Sequence, residues 1–175
     1  DDLLVGGPRN DLLIGGKGND QIFGGAGNDI LLGDHPGDIF GGWAFGASGK
    51  HDGYSDYLDG GAGNDFVFGG RGNDTLRVLG DNASILYSVG DGTDQVSTVP
   101  YGSPGTPDIP VAHVLKLSGV TADDLRLGLG PQGELALHIG ADAADAMLFS
   151  TFGLANVSAQ RAFHHIEFDD GSTLG

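Results

Sequence analysis

Apolar residues in the first half of the chain come in short triplets. The centre of each triplet lies two residues beyond an aspartate: Leu4 after Asp2, Leu13 after Asp11, Ile22 after Asp20, Leu31 after Asp29 and Phe40 after Asp38. The series resumes with Leu58 after Asp56, Val67 after Asp65 and Leu76 after Asp74. The interval is nine residues throughout, and the count is kept across position 47, where an alanine stands in the aspartate's place. It extends to Ile85, although Ala83 replaces that aspartate. An apolar residue held in phase with an aspartate marks a structural repeat. Each triplet predicts a three-residue strand whose middle side chain points inward and whose neighbours point outward. Strands this short make no core alone. Stacked copies do, if strands run up two faces and Gly-rich turns line two edges. Two nonapeptides then complete one coil, coils stack at about 4.8 Å, and the turns of copies n and n+2 lie one above the other.

The pattern changes after residue 80. Alternating runs follow in HVLKL, LRLGL, ELALHI, AMLF and HIEF. They predict half-buried strands, with Leu125, Leu127 and Leu129 on one side of LRLGL and Leu135, Leu137 and Ile139 on one side of LALHI. TADDL reads as a turn or short helical turn, and SAQRAFHH as one short helix. The chain is therefore expected to be all-β. A parallel β-roll should occupy residues 1–86, with an irregular insertion at about 41–55, and a β-rich capping segment residues 87–175. An open-ended roll exposes unpaired backbone and apolar surface, so a cap of this kind is physically required.

Glycine sharpens the division, since 21 of the 34 glycines lie at or before position 72. Charge changes the picture more. There are 24 acidic residues against 8 basic, a formal net charge of −16, and glutamate occurs only at 134 and 167. Aspartate is the short carboxylate of turns and tight cation sites. Nucleic acid and anionic membrane surfaces need a positive patch and are not expected partners. There is no cysteine, which excludes disulfides and thiolate chemistry. No run of about 18 apolar residues is present, so no membrane span is expected. The opening on Asp1-Asp2 reads as a fragment, expected to be monomeric.

Stacked turns put aspartates in columns, a few ångströms apart. Without counterions such a column repels itself by roughly 1 kcal/mol or more per neighbouring pair. Ca2+ between successive turns reverses the sign. It takes 6–8 oxygens, and Gly-rich turns expose carbonyls beside the carboxylates, whereas Mg2+ demands tight octahedral geometry. Transition metals prefer His or Cys, which the turns lack. The plainer alternative is that these aspartates only form Asx-turns, which need no nine-residue phase.

GGKGNDQIF, GGAGNDILL, GGAGNDFVF and GGRGNDTLR resemble the RTX nonapeptide GGxGxDxUx of calcium-binding, haemolysin-type parallel β-rolls. GGPRNDLLI and GDHPGDIFG match more loosely, with Arg9 in the fourth-glycine place and Asp34, His35 and Pro36 in the turn. The resemblance implies that sixth-position aspartates of turns n and n+2 share an ion. The implied pairs are Asp2 with Asp20, Asp11 with Asp29, Asp20 with Asp38, and Asp56 with Asp74. Asp65 faces Ala83 and is expected to bind more weakly or to cap the edge. Implied carbonyl donors are Gly15, Lys17, Gly24, Ala26, Gly60, Ala62, Gly69 and Arg71. NASILYSVGDGTDQV and IEFDDGST are similar to the family's C-terminal flank, through Tyr87, Gly90, Asp91, Gly92 and Asp94. Asp91, Asp94, Asp169 and Asp170 are open as further ligands, as are Asp52 and Asp59.

No catalytic constellation stands out. The six histidines are scattered without an HExxH pair, and Ser48, Ser55 and Ser88 lack a nucleophile elbow. Calcium accounts for the acidic pairs better than glycoside hydrolysis does. The expected role is a non-enzymatic, calcium-dependent folding module of a larger secreted toxin, adhesin or exoenzyme. What the resemblance implies is export by a type I secretion machinery and folding outside the cell. The alternative is a recognition roll that contacts glycan or protein through the aromatics at 43–54. The break itself reads either as such a loop or as a bulged coil covering the roll's edge.

Overall fold

The computed structural model describes residues 1–34, 53–78, 82–97, 113–132, 134–140, 145–149 and 165–175. Trp43, Phe45, Asp38, Asp52 and all but the last residue of the helix expected at SAQRAFHH lie outside these residues, and that last residue, His165, opens a strand. Among the described residues, fifteen strands are formed: β1 (Leu3–Gly7), β2 (Leu12–Ile14), β3 (Gln21–Ala26), β4 (Ile30–Leu32), β5 (Tyr57–Ala62), β6 (Phe66–Phe68), β7 (Thr75–Arg77), β8 (Ser84–Ser88), β9 (Thr93–Ser97), β10 (Val114–Ser118), β11 (Leu125–Leu129), β12 (Leu135–Ile139), β13 (Ala146–Phe149), β14 (His165–Phe168) and β15 (Thr173–Leu174). TADDL supplies a 3-10 turn at Ala122–Asp124.

Odd and even strands of the repeat separate into two parallel sheets. One runs β1-β3-β5-β7-β9-β13-β12-β11, the other β15-β14-β10-β8-β6-β4-β2. Leu3 pairs with Gln21, Leu12 with Ile30, Tyr57 with Thr75 and Phe66 with Ser84, so one coil is two nonapeptides long. The predicted middle residues Ile22, Leu31, Leu58, Val67, Leu76 and Ile85 are all fully buried between the sheets. The fold is a parallel β-roll.

Between β3 and β5 the step doubles, since Gln21 pairs with Tyr57 and Ile30 with Phe66. Residues 15–20 join β2 to β3, and residues 33–56 join β4 to β5. The second link is longer by the length of one whole coil, which is why the aspartate count survives it.

Both sheets continue past residue 86. β9 and β10 add in parallel to β7 and β8, and β13 and β14 add in parallel to β9 and β10. The core continues with them, so Leu115, Leu117, Ile139 and Met147 join the cluster begun by Ile22. Antiparallel strands close each sheet: β12 and β11 on one, β15 on the other. The expected buried face of β11 is instead exposed, with Leu127 at 75% and Leu129 at 74%. As the last strand of its sheet, β11 has its alternating face uncovered by any described element.

Leu58 stacks between Ile22 and Leu76 in register. Replacing Leu58 by alanine removes buried methyls from a site closed above and below. It is expected to cost about 2–5 kcal/mol in urea unfolding with calcium present. Leu127→Ser should stay within about 0.5 kcal/mol.

Candidate metal centre

The local geometry follows from the order of residues in each turn, numbered from the first glycine. In the turn 24–29, the glycines at the second and fourth positions have positive φ, +103° at Gly25 and +132° at Gly27. A side chain is strained there. Gly24 has no such φ, and it is required for a different reason. A Cβ built on it would lie 2.5 Å from the Gly60 carbonyl oxygen of the next turn and 2.6 Å from Asp29 Oδ2. The first glycine therefore leaves open the point where its own turn's carboxylate meets the carbonyl of the turn above.

The same convergence recurs on both edges. On the first edge, Asp11 Oδ2 meets the Gly24 carbonyl beside Gly6, and Asp29 Oδ2 meets the Gly60 carbonyl beside Gly24. On the second, Asp20 Oδ2 meets the Gly33 carbonyl beside Gly15, and Asp56 Oδ2 meets the Gly69 carbonyl beside Gly33. Asp65 Oδ2 and Asp74 Oδ2 occupy the equivalent places beside Gly60 and Gly69.

Each aspartate divides its oxygens between two tasks. Oδ1 accepts the backbone N–H of the aspartate one coil below: Asp2 N–H to Asp20 at 2.6 Å, Asp20 to Asp56 at 2.7 Å, Asp56 to Asp74 at 2.8 Å and Asp74 to Asp94 at 2.9 Å. On the first edge Asp11 N–H donates to Asp29 and Asp29 N–H to Asp65. Oδ2 of Asp11, Asp20, Asp29, Asp56, Asp65 and Asp74 is buried with no hydrogen-bond partner. An orphaned buried carboxylate oxygen is costly unless a cation meets it.

The expected pairs Asp2–Asp20, Asp11–Asp29 and Asp56–Asp74 are therefore direct neighbours. Asp20 is a correction: its neighbour above is Asp56, not Asp38, because the insertion preserves the phase while β3 pairs directly with β5. Among the carbonyl donors, Gly24, Gly60 and Gly69 point at the orphaned oxygens. Gly15 lines its site through the Cβ it lacks. Lys17, Ala26, Ala62 and Arg71 are exposed third positions, and the Ala62 carbonyl accepts Gly27 N–H at 2.9 Å. Gly6 and Gly33 are participants that sequence reasoning missed, being hidden in the two degenerate turns.

Also missed is a ladder of fifth-position side chains. Asn10 Oδ1 accepts Asn28 N–H, Asn28 Oδ1 accepts Asn64 N–H, and Asn19 Oδ1 accepts Ser55 N–H. The recurrence of Asn before Asp is its sequence signal. Asp59, considered as a ligand, pairs with Arg77 at 2.6 Å on the outer face. Asp169 accepts from Ser118 and Gly119, and Asp170 from the Ser172 N–H.

Burial governs the electrostatics. Desolvation pushes Asp56 and Asp65 up to about 6 and Asp74 up to about 8, with neighbouring carboxylates adding to the rise. No group of three or more His, Cys, Asp or Glu side chains is gathered for a metal among the described residues. The donor set is instead carboxylate plus carbonyl, all oxygen, which suits a hard cation such as Ca2+ and disfavours zinc or copper. These residues fit calcium.

A family model described as the RTX calcium-binding nonapeptide repeat, in 4 copies, matches residues 1–34 and 52–82. No curated protein matches the chain. Among the described residues, no helix is long and apolar enough to cross a membrane. The matched segments carry the first glycines, the aspartates and the carbonyls of the two columns, and over these residues the chain is similar to RTX calcium-binding nonapeptide repeats.

Proposed function

We propose that this chain is a calcium-driven folding module of a larger protein that is exported by a type I secretion system and works outside the cell. The observation that carries the reading is the set of six buried Asp Oδ2 atoms without partners. Each stands where calcium would be shared between stacked turns, with Asp11, Asp20, Asp29, Asp56, Asp65 and Asp74 as carboxylate ligands and Gly24, Gly33, Gly60 and Gly69 as carbonyl ligands. In low calcium the ionised columns repel and oppose the stacked state, leaving a chain suited to threading through a channel. At extracellular calcium, binding free energy becomes folding free energy. Residues 87–175 would then serve as the cap, covering the top coil with strands that extend both sheets. RTX repeats are structural calcium-binding elements, and no step of this role is catalytic.

The test is far-UV circular dichroism of the whole chain at neutral pH during a calcium titration. A weak, disordered spectrum in EGTA should convert cooperatively to a β spectrum by millimolar calcium, and millimolar magnesium should not substitute. A β spectrum in EGTA equal to that in calcium would refute the proposal.

A further inference from the structure

Beyond the residues matched as repeats, one more turn is built like them. Residues 89–94 read VGDGTD. Gly72 pairs with Gly92 in a parallel bridge, and Thr75 pairs with Gln95. Residues 89–94 therefore lie over 69–74 position for position. Gly90 and Gly92 have positive φ, as Gly70 and Gly72 do. The hydrogen bonds that join repeat turns are also reproduced. Gly72 N–H donates to the Asp91 carbonyl at 2.6 Å, as Gly27 does to that of Ala62. Thr93 N–H donates to Asn73 Oδ1 at 2.9 Å, continuing the asparagine ladder. Asp74 N–H donates to Asp94 Oδ1, continuing the aspartate column.

Below this turn, Asp74 is 1% exposed, and its Oδ2 has no hydrogen-bond partner. In the coil beneath, the corresponding oxygen of Asp56 meets the carbonyl of the first residue in the next turn. Asp91 and Asp94 are both buried above Asp74.

We propose that residues 89–94 complete an additional calcium site with Asp74, in which Asp94 takes the place of the repeat aspartate and Asp91 adds a carboxylate that no other turn carries at its third position. The ladder on this edge thus runs one rung past the recognised repeats. Three features end it there. Val89 occupies the first position, where every lower turn leaves space by having glycine. Met147, not an aspartate, is in register above Asp94. The Asp145 carboxylate accepts the N–H groups of Gly90 and Gly92. The opposite edge stops lower. Ala83 stands in the aspartate's place above Asp65, and His113 Nδ1 accepts the Ala83 N–H at 3.0 Å where an aspartate oxygen would.

The inference rests on the calcium reading above, and the test separates the two. Calcium bound per chain would be measured by equilibrium dialysis at saturation for the parent, Asp94→Asn, Asp91→Asn and the control Asp170→Asn. Asparagine keeps the acceptor oxygen that holds the turns together. The expected result is one ion fewer in Asp94→Asn, a weaker last ion in Asp91→Asn, and no change in the control. Parent crystals grown in calcium give a readout that needs no variant, namely an anomalous peak between Asp74 and Asp94. Peaks in the repeat turns with none at this place, or unchanged ion counts in both variants, overturn the proposal. A parent that binds no calcium overturns the calcium reading itself.

Discussion

Acid should fold this chain in the absence of calcium. In EGTA the β signal is expected to be weak at pH 8 and to rise several-fold as the pH is lowered to about 5. The reasoning starts from burial. Asp56 and Asp65 are pushed up to about 6, Asp91 to about 7 and Asp74 to about 8, and Asp94 is also raised, in every case chiefly by desolvation. The unfolded chain keeps the ordinary aspartate value of about 3.9. Between about pH 4 and pH 8 the folded, metal-free roll therefore binds more protons than the unfolded chain. Where the folded state binds more protons, stability falls as pH rises. The roll's metal-free stability is fully present below the unfolded value and is lost as pH climbs through about 6 to 8. A proton on each column carboxylate removes the same charge that calcium would neutralise. The two ligands compete, so the calcium midpoint should move to higher concentration as the pH falls through that window. Circular dichroism at pH 5 and pH 8, with EGTA or with millimolar calcium, gives the four values needed. Equal signals at the two pH values in EGTA would show that the columns are not what opposes folding. Stopping at about pH 5 keeps exposed aspartates charged and the chain in solution.

Much of the first half is legible because its period is short and its burial strict. Ile22, Leu31, Leu58, Val67 and Leu76 are placed inside by their distance from an aspartate and Ile85 by the nine-residue count, and the two-nonapeptide coil follows from the same count. The count also conceals two things. An insertion one coil long leaves every aspartate in phase, so Asp38 reads as the neighbour of Asp20 when Asp56 is. Conversely, Asp94 follows Asp74 by more than two nonapeptides and falls out of phase, so a turn built like the others escapes the pattern. Period counts register spacing along the chain, whereas the ladder depends on which strands pair. The second half is legible as strands but not as a continuation of both sheets, since alternation does not distinguish parallel from antiparallel neighbours. For β11, alternation identifies an amphipathic strand and leaves open whether anything covers Leu127 and Leu129. The asparagine ladder is visible in the repeated Asn-Asp pair, yet an amide beside a carboxylate reads as turn chemistry until the coils are stacked.

A single methyl group at three glycines should give three different results, and the largest is at Gly24. Gly24→Ala puts its Cβ 2.5 Å from the Gly60 carbonyl oxygen and 2.6 Å from Asp29 Oδ2. One of these atoms is backbone held by a parallel strand pair, so it has little room to yield. The methyl also occupies the place where the carboxylate and carbonyl converge. The variant is expected to lose one calcium ion and about 3 kcal/mol of stability in calcium, at the upper end of the cost of overpacking. Its calcium midpoint should rise at least tenfold. Gly16→Ala is a strain control. Gly16 has φ +97° with nothing within 4 Å of an added Cβ, so the cost is about 1–2 kcal/mol of backbone strain with the ion count unchanged. Gly7→Ala meets nothing within 4 Å and needs no positive φ. It should be neutral, or stabilising by about 0.5 kcal/mol through the unfolded chain. All three are glycines of Gly-Gly pairs that open repeat turns, so composition and exposure to proteolysis or aggregation hardly differ among the variants. If Gly24→Ala retained every ion and matched Gly16→Ala in stability, the first glycine would be needed for close packing alone. If it lost an ion while Gly16→Ala kept all of them, the first glycine of a pair would be distinguished by function from a second glycine of positive φ, the first leaving room for a cation and the second permitting the turn that presents the ligands.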